Sequence, residues 1–323
     1  MLTMSGGPGM NRRTLMMGSA ALLMTVLPLQ AQERTSVTLL YTATTGFMTA
    51  WVAADQGFFA DHGVDVDLQL AQNGSIIVAG VVSGSAQVGL PTPTVALQAI
   101  ENGLDLRTFA STNIFPETSN AGVVVGAESG IEAAADLVGK TVGVPGIGGL
   151  LDVTMRQWLI SQGVDVGDVN IVEIALPQTG DAIRAGQVDA VASVDPFSSR
   201  AVDMGVGRLI GNYLDVIPDG SAAGIFVTTA EWAEEHPEAI TGMQLALAEA
   251  ADFIRENDAE ARESITRYTT LPAPVVANVP FPNLGGALEP ETSLGFWNRL
   301  ALEQGLIYEL VDLDTFVIPF PTE

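Results

Sequence analysis

The chain has 323 residues, 47% of them hydrophobic and 16% charged, with 34 glycines and 17 prolines. That length and balance suit one large or two medium globular units and exclude collagen-like, coiled-coil and wholly disordered chains. The absence of cysteine excludes disulfides, thiolate metal sites and cysteine nucleophiles, and a formal net charge of −25 argues against nucleic acid or an anionic membrane as partner.

At the amino end, Arg12-Arg13 precede an uncharged run from Thr14 to Ala31, after which polar residues resume. A positive segment, a short apolar segment and a small residue at Ala31 read as a cleavable export signal over residues 1–31. Gly18, Ser19, Thr25 and Pro28 interrupt the run, whereas a spanning helix needs about 20 predominantly apolar residues. Asn11-Arg12-Arg13-Thr14-Leu15 is similar to a twin-arginine export motif, with the general route left open, and Met10 is an alternative start. Without residues 1–31, 38 acids face 11 bases, a net charge of −27. Lys140 is then the only lysine. The acids are scattered, which fits a solubility adaptation better than a functional patch.

From residue 36 onward, apolar runs of strand length alternate with helix-like segments. Ser36–Tyr41 reads as a strand, Met48–His62 as a helix stopped by Gly63, and Val64–Ala71 as an alternating strand. A helix over Ile76–Val82, a strand over Gln87–Leu90, a helix over Thr94–Glu101 and a strand over Leu104–Ala110 complete a first α/β unit. Such alternation predicts a parallel sheet with helices on its faces. The pattern restarts with strands at Ala121–Gly126 and Thr141–Val144, separated by a short helix at Ile131–Leu137. A helix follows at Leu150–Ser161, then a strand at Val169–Ala175, a turn at Asp181–Ala185 and a strand at Val188–Val194. A helix at Pro196–Met204 and a strand at Arg208–Ile210 close the second unit. Ala223–Thr228 is a further strand. Helices over Ala230–Asn257 (punctuated by Pro237), Ala259–Tyr268 and Leu288–Leu306 end the chain. The layout predicts a discontinuous lobe, residues 36–120 plus 223–323, with a second lobe, residues 121–222, inserted between crossings near Ser119–Gly122 and Ser221–Gly224. Two crossings make a hinge.

In this architecture ligands bind at strand-to-helix turns beyond the carboxyl ends of parallel strands, where helix amino termini offer unpaired N–H groups. Five turns qualify: Thr42–Phe47, Asn73-Gly74-Ser75, Thr92-Pro93-Thr94, Gly146-Ile147-Gly148-Gly149 and Asp195-Pro196-Phe197-Ser198. Helix capping alone explains Ser75, Thr92 and Asp195 equally well, and the two uses are compatible. The Gly146–Gly149 loop lacks the Gly-Lys-Ser/Thr ending of a nucleotide-binding loop. Two histidines, His62 beside Asp61 and His236 in an acidic run, read as solvated surface residues, so neither a metal set nor a serine–histidine pair is expected. No cofactor is expected.

Several segments carry a resemblance. Trp51 to Phe59 followed by His62-Gly63-Val64-Asp65-Val66, then Gly74-Ser75 and Val82 to Gly89, then Asp136 to Val144, Gly186 to Ala190 and Asp195-Pro196-Phe197, occur in an order and spacing similar to one family. The chain resembles periplasmic binding proteins of the nitrate, sulfonate, taurine and thiamine-precursor type, the solute receptors of ABC importers. The resemblance covers nearly the whole chain after residue 31. It implies a type II periplasmic-binding-protein fold, α/β, with two α/β lobes and a hinged ligand cleft. It also implies a non-enzymatic, monomeric periplasmic receptor that passes a small-molecule ligand to an ABC permease and ATPase. The ligand contacts it implies are Thr44, Phe47, Gly74, Ser75, Thr92, Thr94, Asn113, Gly148, Gly149, Asp195 and Phe197. Two departures stand against taurine. The Gly146–Leu151 loop has no hydroxyl, and Ala222-Ala223-Gly224 has no acid where a taurine receptor carries one for the amine. Apolar Phe47, Ile147, Leu150, Leu151 and Phe197 favour a sulfonate, aromatic carboxylate or pyrimidine-like ligand, with Arg156 or Arg200 available for an anion. A ligand-sensing protein and a pyrimidine-precursor synthase-like enzyme are the competing readings. The synthases carry a cysteine-rich site that this chain cannot build.

Overall fold

The computed structural model describes residues 34–116, 121–269 and 271–321. The expected export signal, residues 1–31, lies outside the described residues, as does part of the first expected crossing. The described residues form ten strands: β1 (Thr35–Tyr41), β2 (Val64–Leu70), β3 (Val88–Gly89), β4 (Leu106–Ser111), β5 (Ala121–Gly126), β6 (Thr141–Val144), β7 (Asn170–Glu173), β8 (Ala190–Val194), β9 (Gly207–Leu209) and β10 (Ile225–Thr229). The helices before β5 are α1 (Met48–Gln56), α2 (Phe58–Asp61), α3 (Gly74–Val82) and α4 (Pro93–Glu101). Those between β6 and β9 are α5 (Leu150–Ser161), α6 (Thr179–Arg184) and α7 (Phe197–Asp203). After β10 come α8 (Ala230–Glu235), α9 (Pro237–Glu256), α10 (Asp258–Tyr268), α11 (Ala273–Val276), α12 (Gly295–Glu303) and α13 (Leu313–Phe316).

The strands form two five-stranded sheets, in the orders β2-β1-β3-β10-β4 and β7-β6-β8-β5-β9. Neither is the parallel sheet that the alternation predicts. β10 runs antiparallel to both β3 and β4, and β5 antiparallel to both β8 and β9. Both exceptions have one cause. β5 and β10 are entered from the other sheet rather than through a helical crossover, and nothing then forces them parallel. The other strands of each sheet share a direction. Chain passage from one sheet to the other therefore leaves and enters at the carboxyl edges: Ser111 at the end of β4 pairs with Ile225 at the start of β10, and Val194 at the end of β8 with Ala121 at the start of β5.

Some helices depart from their expected bounds for local reasons. The helix expected over Met48–His62 breaks at Gly57, whose left-handed φ of +83° ends α1 and lets a single further turn, α2, start in a new direction. The helix expected over Ile131–Leu137 is only a 3-10 turn at Ala134–Leu137, with the Asp136 carboxylate accepting from the Glu132 and Ala133 amides. Over Leu288–Leu306 a π turn, Pro290–Leu294, precedes α12.

One apolar core packs α1, α9 and α10 on a face of the first sheet, through Leu39, Trp51, Met243 and Ile265. A second core is continuous across both sheets: Leu97 of α4, Val153 and Trp158 of α5, and Trp297 and Leu300 of α12 share it. The described residues accordingly hold together as one compact body. No helix among the described residues is long and apolar enough to cross a membrane.

Candidate functional site

The passage between the sheets is a small three-stranded ribbon. The Thr112 N–H donates to the Gly224 carbonyl, and those of Ala223 and Phe115 donate to Asn113 and Ser221, each at 2.9 Å. On the other side of Thr112–Ile114 lies a segment from far along the chain. The Ile114 N–H donates to the Asn283 carbonyl at 2.9 Å, and the Gly285 N–H to Thr112 at 3.1 Å. The approach is so close that a Cβ at Gly285 would sit 2.6 Å from the Ser111 carbonyl oxygen, so only glycine fits. Ala222 is held at both ends: its N–H donates to Ser293 at 2.9 Å, and its carbonyl accepts from Trp297 Nε1 at 2.7 Å.

Two of the expected contact residues, Phe47 and Asn113, meet at this ribbon, and the turns that carry Thr44 and Thr92 lie next to it. The turn after β1 lies against Asn113, because a Cβ at Gly46 would meet Asn113 Oδ1 at 2.8 Å. Asn113 is 2% exposed, and its Oδ1 accepts from the Thr112 hydroxyl at 2.9 Å, which fixes the amide in orientation. Phe47 packs its ring edge on Gly224, where a Cβ would be 2.9 Å from Cε1. Thr92 follows Pro91, whose carbonyl accepts from the N–H of Ile225, the first residue of β10, at 3.1 Å. Thr44 and Thr92 both have the extended backbone of a helix cap, yet neither hydroxyl makes a capping bond. Capping, the alternative use of Thr92, is thus not what its hydroxyl does. Thr94 is fully buried, its hydroxyl 3.5 Å from that of Thr92.

Gly74 and Ser75 stand one element away. The cap of α3 is Asn73, whose Oδ1 accepts from the Ile76 N–H at 3.0 Å, and not Ser75, which is exposed. Gly74 is near Val95 of α4 at an ordinary 3.5 Å, so space does not demand glycine there.

On the second sheet the turn after β6 is built tightly. Gly148 has φ +77°, and its N–H donates to Asp152 Oδ2 at 2.8 Å. Its carbonyl accepts from Gln98 Nε2 of α4 at 3.1 Å. Both backbone groups of Gly148 are therefore engaged within the protein, and Gly149, the cap of α5, is the residue of that loop with an extended backbone. Asp152 is 1% exposed and its other oxygen accepts from Arg156 Nε at 2.6 Å, so the buried carboxylate is satisfied on both oxygens. Arg156, one of the two arginines considered for an anion, is thus paired through its Nε. Asp195 Oδ1 accepts from the Ser198 hydroxyl at 2.7 Å and the Ser199 hydroxyl and N–H at 2.6 and 3.2 Å, capping α7 from outside its first turn. Phe197, half-buried, lines a groove between α6 and α7.

The structure thus places Phe47 and Asn113 at the ribbon, and ties Gly148 to the first sheet through Gln98, a residue that sequence reasoning missed. Gln98 looks like any polar position in an amphipathic helix, and no local pattern singles it out. Asp152 was missed for the same reason. Neither histidine is merely solvated: His62 Nε2 lies 3.0 Å from Glu249 Oε2, and the His236 ring stacks on Trp232 at 4.7 Å. Among the described residues no group of acids and histidines is arranged to hold a metal.

With that geometry in place, the likenesses to other proteins become informative. The model of the NMT1-like family matches residues 30–269. A protein of Brucella abortus described as a candidate binding protein is 27% identical over 264 residues, 80% of this chain and 79% of that one. The formylaminopyrimidine-binding protein of Halalkalibacterium halodurans is 26% identical over 226 residues, 63% of this chain and 67% of that one. Among solved structures, the alkanesulfonate-binding protein SsuA of Xanthomonas axonopodis, bound to MOPS, superposes with a TM-score of 0.75 at 20% identity, covering 89% of this chain and 99% of that one. The desulfurization enzyme DSZB does so with a TM-score of 0.66 at 17% identity, covering 88% and 96%. The fold is that of the periplasmic binding proteins, and it also carries an enzyme.

Proposed function

The chain belongs to the NMT1-like family, and from that premise we propose that it is the solute-binding protein of an ABC-type importer. Its ligand is a small organic molecule with a flat or apolar body, held between the carboxyl edges of the two sheets. The observation that carries this reading is the meeting of Phe47 and Asn113 at the ribbon that joins those edges, with the turns of Thr44 and Thr92 beside it. Two hydroxyls without capping duty, one oriented amide and one phenyl ring are what a small polar-and-apolar ligand needs. Capture without chemistry is supported by relatives named for binding, and by histidines occupied by Glu249 and Trp232 rather than by a nucleophile.

The finer reading has residues 36–120 plus 223–323 as one lobe and 121–222 as the other, closing on the ligand. Gly74, Ser75, Gly149 and Asp195 approach from the sides, and Thr94 acts from beneath Thr92. Export by a signal over residues 1–31, a periplasmic place of work, a monomeric state and delivery to a permease and an ATPase complete it.

A thermal-shift screen of the chain from residue 32 onward, against alkanesulfonates, aromatic carboxylates and pyrimidines, tests this. A ligand at about 100 times its Kd adds roughly 2.7 kcal/mol of stability. Asn113→Ala should abolish the shift while the unliganded chain stays folded. Turnover of a compound that raises no melting temperature would sink the receptor reading.

A further inference from the structure

The turn after β6 has the composition of an anion nest, in which successive backbone N–H groups converge on a negative ligand. Its amides are already engaged. The Ile147 N–H donates to Glu173 Oε1 at 3.1 Å, the Gly148 N–H to Asp152 Oδ2 at 2.8 Å, and the Gly149 N–H to the Gly146 carbonyl at 3.1 Å. Two of these acceptors are carboxylates, supplied by the last residue of β7 and the first turn of α5. The chain's own acids thus sit where the oxygens of a bound anion would go. Asp152 also offsets the partial positive charge at the amino end of α5.

Charge around the rest of the cleft does not compensate. The three turns beyond the first sheet, residues 42–47, 71–76 and 91–95, hold no charged residue. Beyond the second sheet, Asp195 joins Glu173 and Asp152, against Arg156 and Arg200. Arg156 gives its Nε to Asp152 at 2.6 Å, and Arg200 lines the α6–α7 groove with Asp181 and Arg184. Three carboxylates against two guanidiniums leave that edge negative, on a chain whose net charge already repels anions. Asp152 and Asp195 are spent on internal donors, so neither is offered to a cation. An uncharged carbonyl, hydroxyl or ring nitrogen meets no such repulsion, and Thr44, Thr92 and Asn113 can bond it without any charge. What the loop retains for contact is the Ile147 side chain, 55% exposed.

Resting on the receptor reading, we infer that the ligand carries no anionic group. It is an uncharged organic molecule, with its polar atoms on the hydroxyls and amide of the first sheet and its apolar body toward Ile147. Glu173 and Asp152 exclude carboxylates and sulfonates from the loop.

Matched probes that differ in charge test it on the chain from residue 32 onward: uracil with uracil-6-carboxylate, benzamide with benzoate, and benzenesulfonamide with benzenesulfonate. At millimolar concentration an uncharged member should raise the melting temperature and its charged partner should not. Isothermal titration then gives the ratio of the two Kd values. Glu173→Gln keeps an acceptor for the Ile147 amide and removes the charge, so it should narrow that ratio about fivefold. Salt at about 0.3 M should narrow it in the parent. Asp252→Asn, at an exposed position on α9, should leave it unchanged. A charged member that binds the parent as well as its uncharged partner would overturn the proposal and leave the receptor reading standing. So would a ratio that Glu173→Gln does not alter, or silence from all three uncharged probes. Turnover of a probe that raises no melting temperature would instead remove the receptor reading itself.

Discussion

At the scale of single residues, Gly148 shows what a sequence leaves out. The resemblance implies it as a ligand contact, and the structure adds a close approach to Gln98. A Cβ there would sit 2.7 Å from Gln98 Nε2, and the backbone is left-handed at φ +77°. Gly148→Ala should therefore destabilise folding by more than about 1 kcal/mol, read as a lower urea midpoint with an unchanged slope. Gly149, with φ −77°, has only the Gly146 carbonyl oxygen near, at 3.1 Å, so Gly149→Ala should cost less. Asn113 is a contact that the resemblance implies, and the structure supplies what a sequence cannot: a hydroxyl neighbour that orients the amide. Thr112→Val, which removes that donor to Oδ1, should weaken ligand binding several-fold with a smaller loss of stability. Isothermal titration beside urea unfolding separates the two effects.

Elements were the most legible level, because hydrophobic period and helix-ending glycines are local signals. β5, β6 and α5 match their expected bounds residue for residue. The failures occur where a tertiary partner decides. α10 ends in a cluster that no local pattern announces: the Asp55 carboxylate, 8% exposed, accepts from Ser264 at 2.6 Å, from the Tyr268 phenol at 3.0 Å and from Arg267. Trp51 stacks on Tyr268 with ring centres 5.9 Å apart. Asp55→Ala strands these donors and should cost about 2–3 kcal/mol. Burial first, and the hydrogen bond to Asp55 second, push the Tyr268 phenol up to about 12 from its ordinary 10.0. The folded chain then keeps a proton that the unfolded chain gives up. The stability from this group is whole below about pH 10 and is lost as pH rises toward about 12. Urea midpoints at pH 9, 10 and 11 should fall more steeply in the parent than in Tyr268→Phe.

For the whole molecule, the two-sheet plan follows from alternating elements, but the ties between the sheets do not. Gln98 donates to Gly148, and Gln304, after α12, donates to the Val153 carbonyl at 2.8 Å. Both amides pin α5 to helices of the first sheet, alongside the core that α4, α5 and α12 share. Sequence distance hides these contacts, as it hides the strap at Asn283–Gly286. Removing both amides, as Gln98→Ala with Gln304→Ala, should cost about 2 kcal/mol in urea unfolding, near the sum of the single losses if the two ties act independently.

The place of β10 has a consequence for how the protein is made. A ribosome delivers β1 to β4 early, but β10, the strand that lies between β3 and β4, emerges only after the entire second sheet. At ordinary elongation rates that is a wait on the order of ten seconds. Throughout it, β3 and β4 lack the neighbour that will join them, and unpaired strand edges recruit other chains. The nascent first half is thus a natural client for a holding chaperone, and fragments that stop short of residue 225 should precipitate where the full chain stays in solution.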